Sequence, residues 1–224
     1  MAESKKQKQV LSRDLIIDTT YRMIEEHGVS TFTMRALGVE LGVSAMACYS
    51  HFDSREELLS EVSARFMATL DTDPIPGERW DDTLRRTMQS IHETFREHPN
   101  LGELTDQPEV GLKGIAPHTK KIVMLHLNQG MPKAIFSRTW AIVDAYMGGF
   151  FINEIGIARL EKEGQLNEDS VRELEEWELT VRQAYTDDSF KSGIEIIIAG
   201  VRNLAAPDPC EWYTPLDPQS TETR

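Results

Sequence analysis

At residues 33–55 the chain reads TMRALGVELGVSAMACYSHFDSR, and this stretch decides the fold class. Its spacing predicts two short helices, over 34–41 and 45–52, with Gly42 between them. A glycine there can take the left-handed backbone conformation that ends a helix, because it has no Cβ to clash. The stretch is therefore a candidate helix-turn-helix motif, two helices joined by a tight turn.

Capping residues support both helices. Thr33 and Ser44 stand immediately before them, where a hydroxyl can accept a hydrogen bond from a free backbone N–H group. Helices of about two turns are unstable alone and must pack on other elements. The residues available for this packing are Leu37, Leu41, Val43, Ala47 and Phe52. The outer face of the second helix stays free, and a short helix presented in this way suits the major groove of DNA.

Helices are also predicted on both sides of this motif. One covers residues 13–27, and another begins at the capping box Ser54-x-x-Glu57 and continues to Leu70. The residues that bound the first of them are Ser12, as its cap, and Gly28, as its end. The turn-forming segment 71–77 follows and is typical of a junction between two domains.

Beyond this junction the apolar spacing predicts helices throughout. The predicted elements are a helix over 80–95, a break at 98–100, a short helix at 101–105, an irregular stretch at 107–117, and helices at 118–128, 133–162, 167–185 and 189–204. The sequence contains no evident strand pattern or internal repeat. The predicted fold class is all-α, with an N-terminal three-helix helix-turn-helix domain and a larger helical domain after it.

Two of these helices carry more apolar surface than one protein core requires. The helix over 133–162 has large apolar residues around much of its circumference, and the helix over 189–204 combines an apolar stripe with small residues that permit close approach. A helix of this kind needs partners on two sides. The pattern favours a second subunit, and a monomeric core is the alternative.

The chain is acidic, with a net charge of −13, which by itself argues against a nucleic-acid partner. The charge is unevenly distributed. Residues 1–13 carry a net charge of +3, and residues 1–66 hold 8 Lys/Arg against 10 Asp/Glu, so most of the acidity lies after residue 66. Phosphate binding needs only a local basic surface, which a flexible arm over 1–12 together with Arg35 and Arg55 could supply.

Composition indicates a cytoplasmic protein with no membrane partner. No run approaches 18 apolar residues, and the polar N-terminus lacks the apolar core of a signal peptide. Cys48 is expected to pack as a small hydrophobic residue, and its separation from Cys210 argues against a structural disulfide. The segment 207–224, with four prolines, is expected to be extended or disordered.

The chain resembles the tetracycline-repressor (TetR) family of bacterial transcription regulators, most strongly over residues 12–66. The matching residues are Thr33, Arg35, Leu37, Leu41 to Ser44, Tyr49, His51, Phe52 and Ser54 to Leu59. The Tyr-x-His-Phe ending and the capped helix after it make the match more specific than a helix-turn-helix pattern alone. A helical hairpin inside an unrelated bundle is the alternative interpretation.

This resemblance implies a homodimeric repressor that binds a pseudo-palindromic operator in double-stranded DNA and is released by a small-molecule effector. It implies a DNA-binding domain over 13–70, an effector-binding and dimerisation domain over 71–206, and a dimer interface formed by the helices over 133–162 and 189–204. An effector-independent DNA-binding protein is one rival. An all-helical enzyme is another, although the sequence has no nucleophile elbow, phosphate-binding loop or dinucleotide fingerprint.

Family roles can be transferred to matching positions of the motif. The implied DNA-binding residues are Thr33, Arg35, Ser44, Ala45, Met46, Ala47, Tyr49, Ser50, His51 and Arg55. Ala45, Met46 and Ala47 lack the bidentate donors that best read guanine or adenine, so thymine methyl groups, Arg35 and DNA shape would carry more of the specificity. Asp53 is acidic where the tetracycline repressor commonly has a basic residue, which is expected to weaken phosphate contact.

A mostly apolar effector pocket is predicted in the second domain. The candidate lining residues are Phe66, Met88, His92, Phe95, Leu101, Leu104, His118, Ile122, Tyr146 and Phe150. Each of them is equally compatible with an ordinary helical core. The chain has Asn100 before Leu101-Gly102, where tetracycline repressors carry a metal-chelating histidine. The sequence therefore predicts no magnesium-chelated tetracycline, no metal and no cofactor, and it leaves the effector unidentified.

Overall fold

A computed structural model describes residues 10–105, 107, 110–176 and 184–205, and every regular element in these ranges is helical. The helices are α1 (Arg13–His27), α2 (Met34–Leu41), α3 (Ala45–Tyr49), α4 (Arg55–Met67), α5 (Trp80–Glu97), α6 (Pro99–Thr105), α7 (Gly111–Asn128), α8 (Lys133–Lys162), α9 (Glu168–Glu176) and α10 (Asp187–Ala205), with a short 3-10 turn at Val29–Thr31. The predicted all-α class is confirmed.

The chain forms two compact units. Among the described residues, the head unit consists of 10–69 together with 98–105, 107 and 110–118, so it contains α1 to α4, α6 and the start of α7. Its core is formed by side chains that are almost completely removed from solvent. They are Ile16, Ile24, Leu37, Phe52, Leu58, Leu59, Val62, Phe66, Leu101 and Leu104. The helices α2 and α3 are too short to be stable alone, and packing on this core stabilises them.

Among the described residues, the body unit consists of 70–97, 119–176 and 184–205. Here α5, α8 and α10 pack on one another around a single apolar cluster. The central members of that cluster are Trp80, Leu84, Met88, Val143, Phe150, Phe190, Ile194 and Ile198. The apolar stripes of the three helices are thus buried against each other, which accounts for their helical spacing in the sequence.

Several predicted boundaries are correct and others are wrong. The bounds of α1, α2 and α8 agree with the prediction, whereas α3 ends at Tyr49 instead of residue 52 and α4 ends at Met67 instead of Leu70. The helix predicted from residue 118 begins at Gly111, and the helix predicted from residue 189 begins at Asp187. Residues 1–9 of the predicted basic arm, the predicted C-terminal tail over 207–224, and residues 177–183 of the helix predicted over 167–185 lie outside the described residues. At the predicted end of that helix, residues 184 and 185 form a turn instead.

The early start of α7 has a tertiary cause. A Cβ atom on Gly114 would lie 2.7 Å from the backbone oxygen of Ser60, so the first turns of α7 pack directly on α4 within the head unit. The Ser60 hydroxyl also donates to the carbonyl oxygen of Val110, at 3.2 Å. These contacts hold the segment helical even though Pro117 lies inside it and supplies no N–H group.

Candidate nucleic-acid interface and effector site

The predicted turn geometry is present in the head unit. The backbone of Gly42 is left-handed, with φ 68° and ψ 29°, and it ends α2. The hydroxyl of Thr33 accepts from the N–H of Ala36 at 3.1 Å, and the hydroxyl of Ser44 accepts from the N–H of Ala47 at 3.2 Å. Both helices therefore begin at satisfied caps, and the left-handed glycine reverses the chain between them.

Gly38 is equally important for the turn, although it was not among the predicted functional residues. A Cβ atom at this position would lie 2.9 Å from the carbonyl oxygen of Val43 and 3.0 Å from the backbone nitrogen of Ala45. The N–H of Val43 donates to the carbonyl oxygen of Gly38 at 2.9 Å. The start of α3 thus lies directly on the backbone of α2, in space that only glycine leaves open. The spacing Gly38-x-x-x-Gly42 is the signal that could have identified it.

The two faces of α3 differ sharply in burial. Cys48 is completely buried, and burial raises the pKa of its thiol above the ordinary value, so it stays neutral. On the opposite face Met46 is 74% exposed and Tyr49 is 40% exposed. The outer face of α3 therefore presents a large apolar side chain and a phenol ring to the solvent.

Arg13 fixes the end of α3. Its guanidinium lies 4.1 Å from the ring centroid of Phe52, donates to the Glu57 carboxylate at 3.0 Å, and donates to the carbonyl oxygen of His51. Glu57 in turn accepts from the N–H of Asp53 at 2.6 Å. Arg13, counted in the sequence with the basic arm, is therefore engaged in positioning α3 and α4.

The structure gathers the candidate DNA-binding residues into one stretch of the head unit, from the cap of α2 to the first residue of α4. Their exposure is graded. Exposed residues are Thr33, Arg35, Ser44, Met46, Tyr49 and Ser50, and half-buried residues are Ala45, Ala47, His51 and Arg55. The Arg55 guanidinium lies 5.7 Å from the Phe32 ring, which limits its freedom. Their individual roles in binding stay a prediction.

The candidate effector residues fall into both units. Phe66, Leu101, Leu104 and His118 belong to the head unit, where the first three are fully buried. The remaining candidates belong to the body unit and are Met88, His92, Phe95, Ile122, Tyr146 and Phe150. As pocket-lining residues, all ten stay a prediction.

Aromatic rings in the body unit form an ordered stack. The His92 ring stacks on the Phe190 ring with 3.9 Å between centroids, and the Tyr146 ring also stacks on Phe190, at 5.6 Å. Phe150 meets both His92 and Phe190 edge to face, at 5.6 and 5.0 Å. Three of the predicted effector residues are thus brought together, and Phe190 is the neighbour that the prediction missed.

Two carboxylates flank His92. Its Nε2 atom lies 2.8 Å from Glu154 Oε2, and its Nδ1 atom lies 4.0 Å from Asp187 Oδ1. Histidine and carboxylates can hold a metal ion, but one ion can take only one nitrogen of the ring. The carboxylates lie beside opposite nitrogens, and the guanidinium of Arg96 pairs with Asp187. The arrangement is therefore that of a hydrogen-bonded histidine between acidic partners, and we assign no metal to it.

Asn100 stands in place of the metal-chelating histidine that the resemblance to tetracycline repressors would imply. Its side-chain nitrogen donates to the carbonyl oxygen of Glu25 at 2.9 Å, at the end of α1. His98 Nδ1 lies 2.8 Å from the carboxylate of the same glutamate. Within the head unit these contacts hold α6 against α1, and the Asn100 side chain is already hydrogen-bonded to the protein backbone.

An exposed short helix supported by a buried core, followed by a larger helical body, defines the class of helix-turn-helix DNA-binding regulators. Sequence comparison gives the family. Residues 16–62 match "Bacterial regulatory proteins, tetR family", and residues 73–205, more than half of the chain, match "Tetracyclin repressor-like, C-terminal domain". The chain belongs to the TetR family.

Individual relatives are distant. The chain is 26% identical over 102 residues to an HTH-type transcriptional repressor of Mycobacterium tuberculosis, a match that covers 45% of this chain and 39% of the relative. It is 28% identical over 83 residues to the class D tetracycline repressor of Escherichia coli, covering 36% of this chain and 38% of that protein. The chain thus matches well under half the length of these curated relatives.

Solved structures show the same fold. ActR of Streptomyces coelicolor, in complex with actinorhodin, superposes with a TM-score of 0.67 at 20% identity, covering 88% of this chain and 99% of ActR. BioQ with its double-stranded DNA operator gives a TM-score of 0.61 at 19% identity, covering 87% and 99%. At these identities the likeness establishes the all-α architecture, with its N-terminal helix-turn-helix and helical C-terminal domain.

Proposed function

We propose that this protein is a transcriptional regulator that binds a pseudo-palindromic operator as a homodimer and is released from it by a small-molecule effector. The observation that carries the proposal is α3, a capped helix whose inner face is closed by Cys48 and whose outer face presents Met46 and Tyr49. A rigid exposed helix of this kind can insert side chains between the phosphate backbones of a major groove. The match to a repressor of Mycobacterium tuberculosis supports repression.

The chemistry of α3 favours a particular mode of reading. Met46 and the two alanines beside it offer apolar contact to thymine methyl groups, and the exposed Arg35 at the start of α2 offers a charged donor. Tyr49, His51 and Ser50 lie where they can position the helix on phosphates. DNA shape would supply the remaining specificity, because few base-edge donors are available.

Exposed apolar surface on two helices supports the dimer. Ile142 and Ile152 on α8 are 48% and 64% exposed, and Ile196 and Leu204 on α10 are 73% and 70% exposed. By length and composition alone α8 could cross a membrane, and only 17% of its most apolar window is buried. Since α8 packs on α5 and α10 in the body unit, we assign its uncovered face to a second copy of the chain.

We propose that residues 13–70 bind DNA and that residues 71–206 bind the effector and form the dimer. The dimer has two conformations, one in which the two α3 helices fit successive major grooves and one in which their spacing does not fit. The effector favours the second conformation, and it can shift the equilibrium only as far as its affinities for the two conformations differ. Membership in a family of transcription regulators supports a non-enzymatic, cytoplasmic protein. A regulator without an effector is the second candidate function.

The test of this function begins with the operator. Genomic fragments selected on the purified protein are sequenced, and binding to the recovered site is measured by fluorescence anisotropy at several salt concentrations. We expect a two-fold symmetric site and an affinity that falls with salt, because phosphate contacts release counterions. Recovery of unrelated fragments without a shared site would exclude the proposal. A metabolite library screened by thermal shift then separates the effector-dependent from the effector-independent regulator.

Substitutions in α3 should separate affinity from specificity. Tyr49→Ala is expected to weaken binding to all operators about tenfold, because a phosphate-positioning contact carries no sequence information. Met46→Ala should change the ranking among operator variants, since it removes an apolar contact to a base edge. Anisotropy titrations with a panel of single-base operator variants measure both effects. Glu173→Gln, at an exposed position of α9 in the body unit, is the control, and equal behaviour of all three variants would show that α3 is not the reading helix.

A further inference from the structure

The outer face of α3 carries an exposed sulfur atom. Met46 is 74% exposed, and its neighbours in the chain, Ala45 and Ala47, have only methyl side chains. No other methionine of the described ranges is as open, since Met124 on α7 comes next at 49%. The buried methionines are Met34, Met88 and Met131. Because the oxidation of a sulfur side chain follows its exposure, Met46 is the methionine most open to oxidants.

The second sulfur atom of α3 is protected. Cys48 lies on the inner face, is completely buried, and keeps a neutral thiol because burial raises its pKa. Oxidants attack the thiolate and need access to it, so the Cys48 thiol is inert. The proposed dimer face lies on α8 and α10 and does not include α3. An oxidant that reaches α3 in the free dimer therefore meets the thioether of Met46.

Oxidation changes a thioether from an apolar group into a polar one. A hydroperoxide transfers one oxygen atom: the sulfur lone pair attacks the peroxide, an S–O bond forms as the O–O bond breaks, and water or an alcohol leaves. The methionine loses two electrons, and the peroxide gains them. A methionine sulfoxide reductase reverses the step with two electrons from a dithiol and releases water. The modification is therefore reversible and acts on the side chain that α3 presents most openly.

We propose that Met46 is a redox-sensitive site, and that its oxidation to the sulfoxide by hydroperoxides releases the protein from its operator. This inference rests on the proposed function, in which Met46 contacts thymine methyl groups. A sulfoxide oxygen only accepts hydrogen bonds, whereas base edges in the major groove present more acceptors than donors. In the proposed complex DNA covers α3, so the peroxide acts on the free dimer and keeps it free.

The experiment measures oxidation and operator binding on the same samples of the full chain. After treatment with hydrogen peroxide, mass spectrometry of the tryptic peptide 36–55, whose only methionine is Met46, gives the extent of oxidation, and fragment ions separate Met46 from Cys48. Met46 is expected to oxidise at least about twofold faster than Met124 and about tenfold faster than Met88. Fluorescence anisotropy should show at least about tenfold weaker operator binding after oxidation, because a polar group without a donor is buried against the bases.

Substitutions assign the effect to one residue. Met46→Leu keeps the apolar bulk but cannot form a sulfoxide, so peroxide should change its operator affinity, measured against its own untreated sample, by less than about twofold. Met46→Gln supplies a permanent polar side chain and should weaken binding without peroxide. Met124→Leu is the matched control, because it removes an exposed methionine outside α3 and should respond to peroxide as wild type does. A methionine sulfoxide reductase with dithiothreitol should restore binding, and dithiothreitol alone should not.

The outcomes separate this site from the proposed function. Oxidation of Met46 no faster than that of Met124, unchanged operator affinity of the oxidised protein, or loss of binding by peroxide-treated Met46→Leu would overturn the redox site. Operator binding by untreated protein tests the proposed function by itself. Selective oxidation of Met46 in a protein that binds no operator refutes the proposed function and leaves the modification, whereas operator binding that peroxide does not change refutes the redox site alone.

Discussion

Gly38→Ala is expected to abolish operator binding and to lower the free energy of unfolding of the head unit by about 1–3 kcal/mol, as overpacking of a tight site does. The added methyl group would lie 2.9 Å from the carbonyl oxygen of Val43 and 3.0 Å from the nitrogen of Ala45. Both neighbours are backbone atoms, so they cannot swing aside as a flexible side chain would. The start of α3 must move, and its outer face moves with it.

Gly42→Ala is the control, because it shows whether the effect comes from displacement of α3 or from replacing any glycine in the turn. Gly42 is left-handed with φ 68°, but a Cβ atom there would meet no atom within 4 Å. The substitution Gly42→Ala should lower the free energy of unfolding by about 1 kcal/mol through backbone strain and leave α3 in place. Urea unfolding and anisotropy on the same operator measure the two quantities. Comparable operator affinity for Gly38→Ala and wild type would show that the position of α3 does not matter for binding.

The elements that the sequence predicted well are those with local signals. The hydroxyl of Ser12 accepts from the N–H of Leu15, Gly28 ends α1, and Asn167 caps α9. The long helix α8 was also bounded correctly, from Lys133 to Lys162. Each of these boundaries depends on a cap or a glycine within a few residues, and such interactions can be inferred from sequence alone.

The elements that it mispredicted depend on contacts between distant residues. Gly111 begins α7 because Gly114 packs on α4, some fifty positions earlier in the chain, and no local residue indicates this. Pro117, interpreted as the end of an irregular stretch, lies inside the helix instead. Likewise, α3 is shorter than predicted because the guanidinium of Arg13, a residue distant in sequence, donates to the carbonyl oxygen of His51.

The same limit applies to the candidate sites. The surface of α3 could be inferred because a helix-turn-helix motif has a fixed spacing of caps, glycine and apolar residues. An apolar pocket has no such spacing, since its residues recur with the same period as those of a core. Phe66 and Leu101 satisfied that period and are core residues of the head unit.

A buried carboxylate makes the stability of the body unit sensitive to the loss of a single charge. Asp81 is 1% exposed, accepts a hydrogen bond from Arg79 at 2.7 Å and pairs with Arg202 of α10. Asp81→Asn is expected to lower the free energy of unfolding by about 3 kcal/mol, because it leaves two guanidinium groups facing a neutral amide. Asp82→Asn removes a neighbouring exposed charge, paired with Arg85, and should cost less than about 1 kcal/mol.

The pH dependence of this difference tests its electrostatic origin. Burial alone would raise the pKa of Asp81, but the hydrogen bond from Arg202 and the charge of Arg79 outweigh it and hold the pKa below the ordinary value. A carboxyl group of this kind stabilises the fold above its unfolded pKa, about 3.9, and the contribution is lost as pH falls through the folded pKa. Urea unfolding should therefore show a constant difference between wild type and Asp81→Asn from neutral pH down to about pH 5, and a shrinking one below about pH 4. A difference that persists unchanged in acid would mean that Asp81 acts by packing rather than by charge.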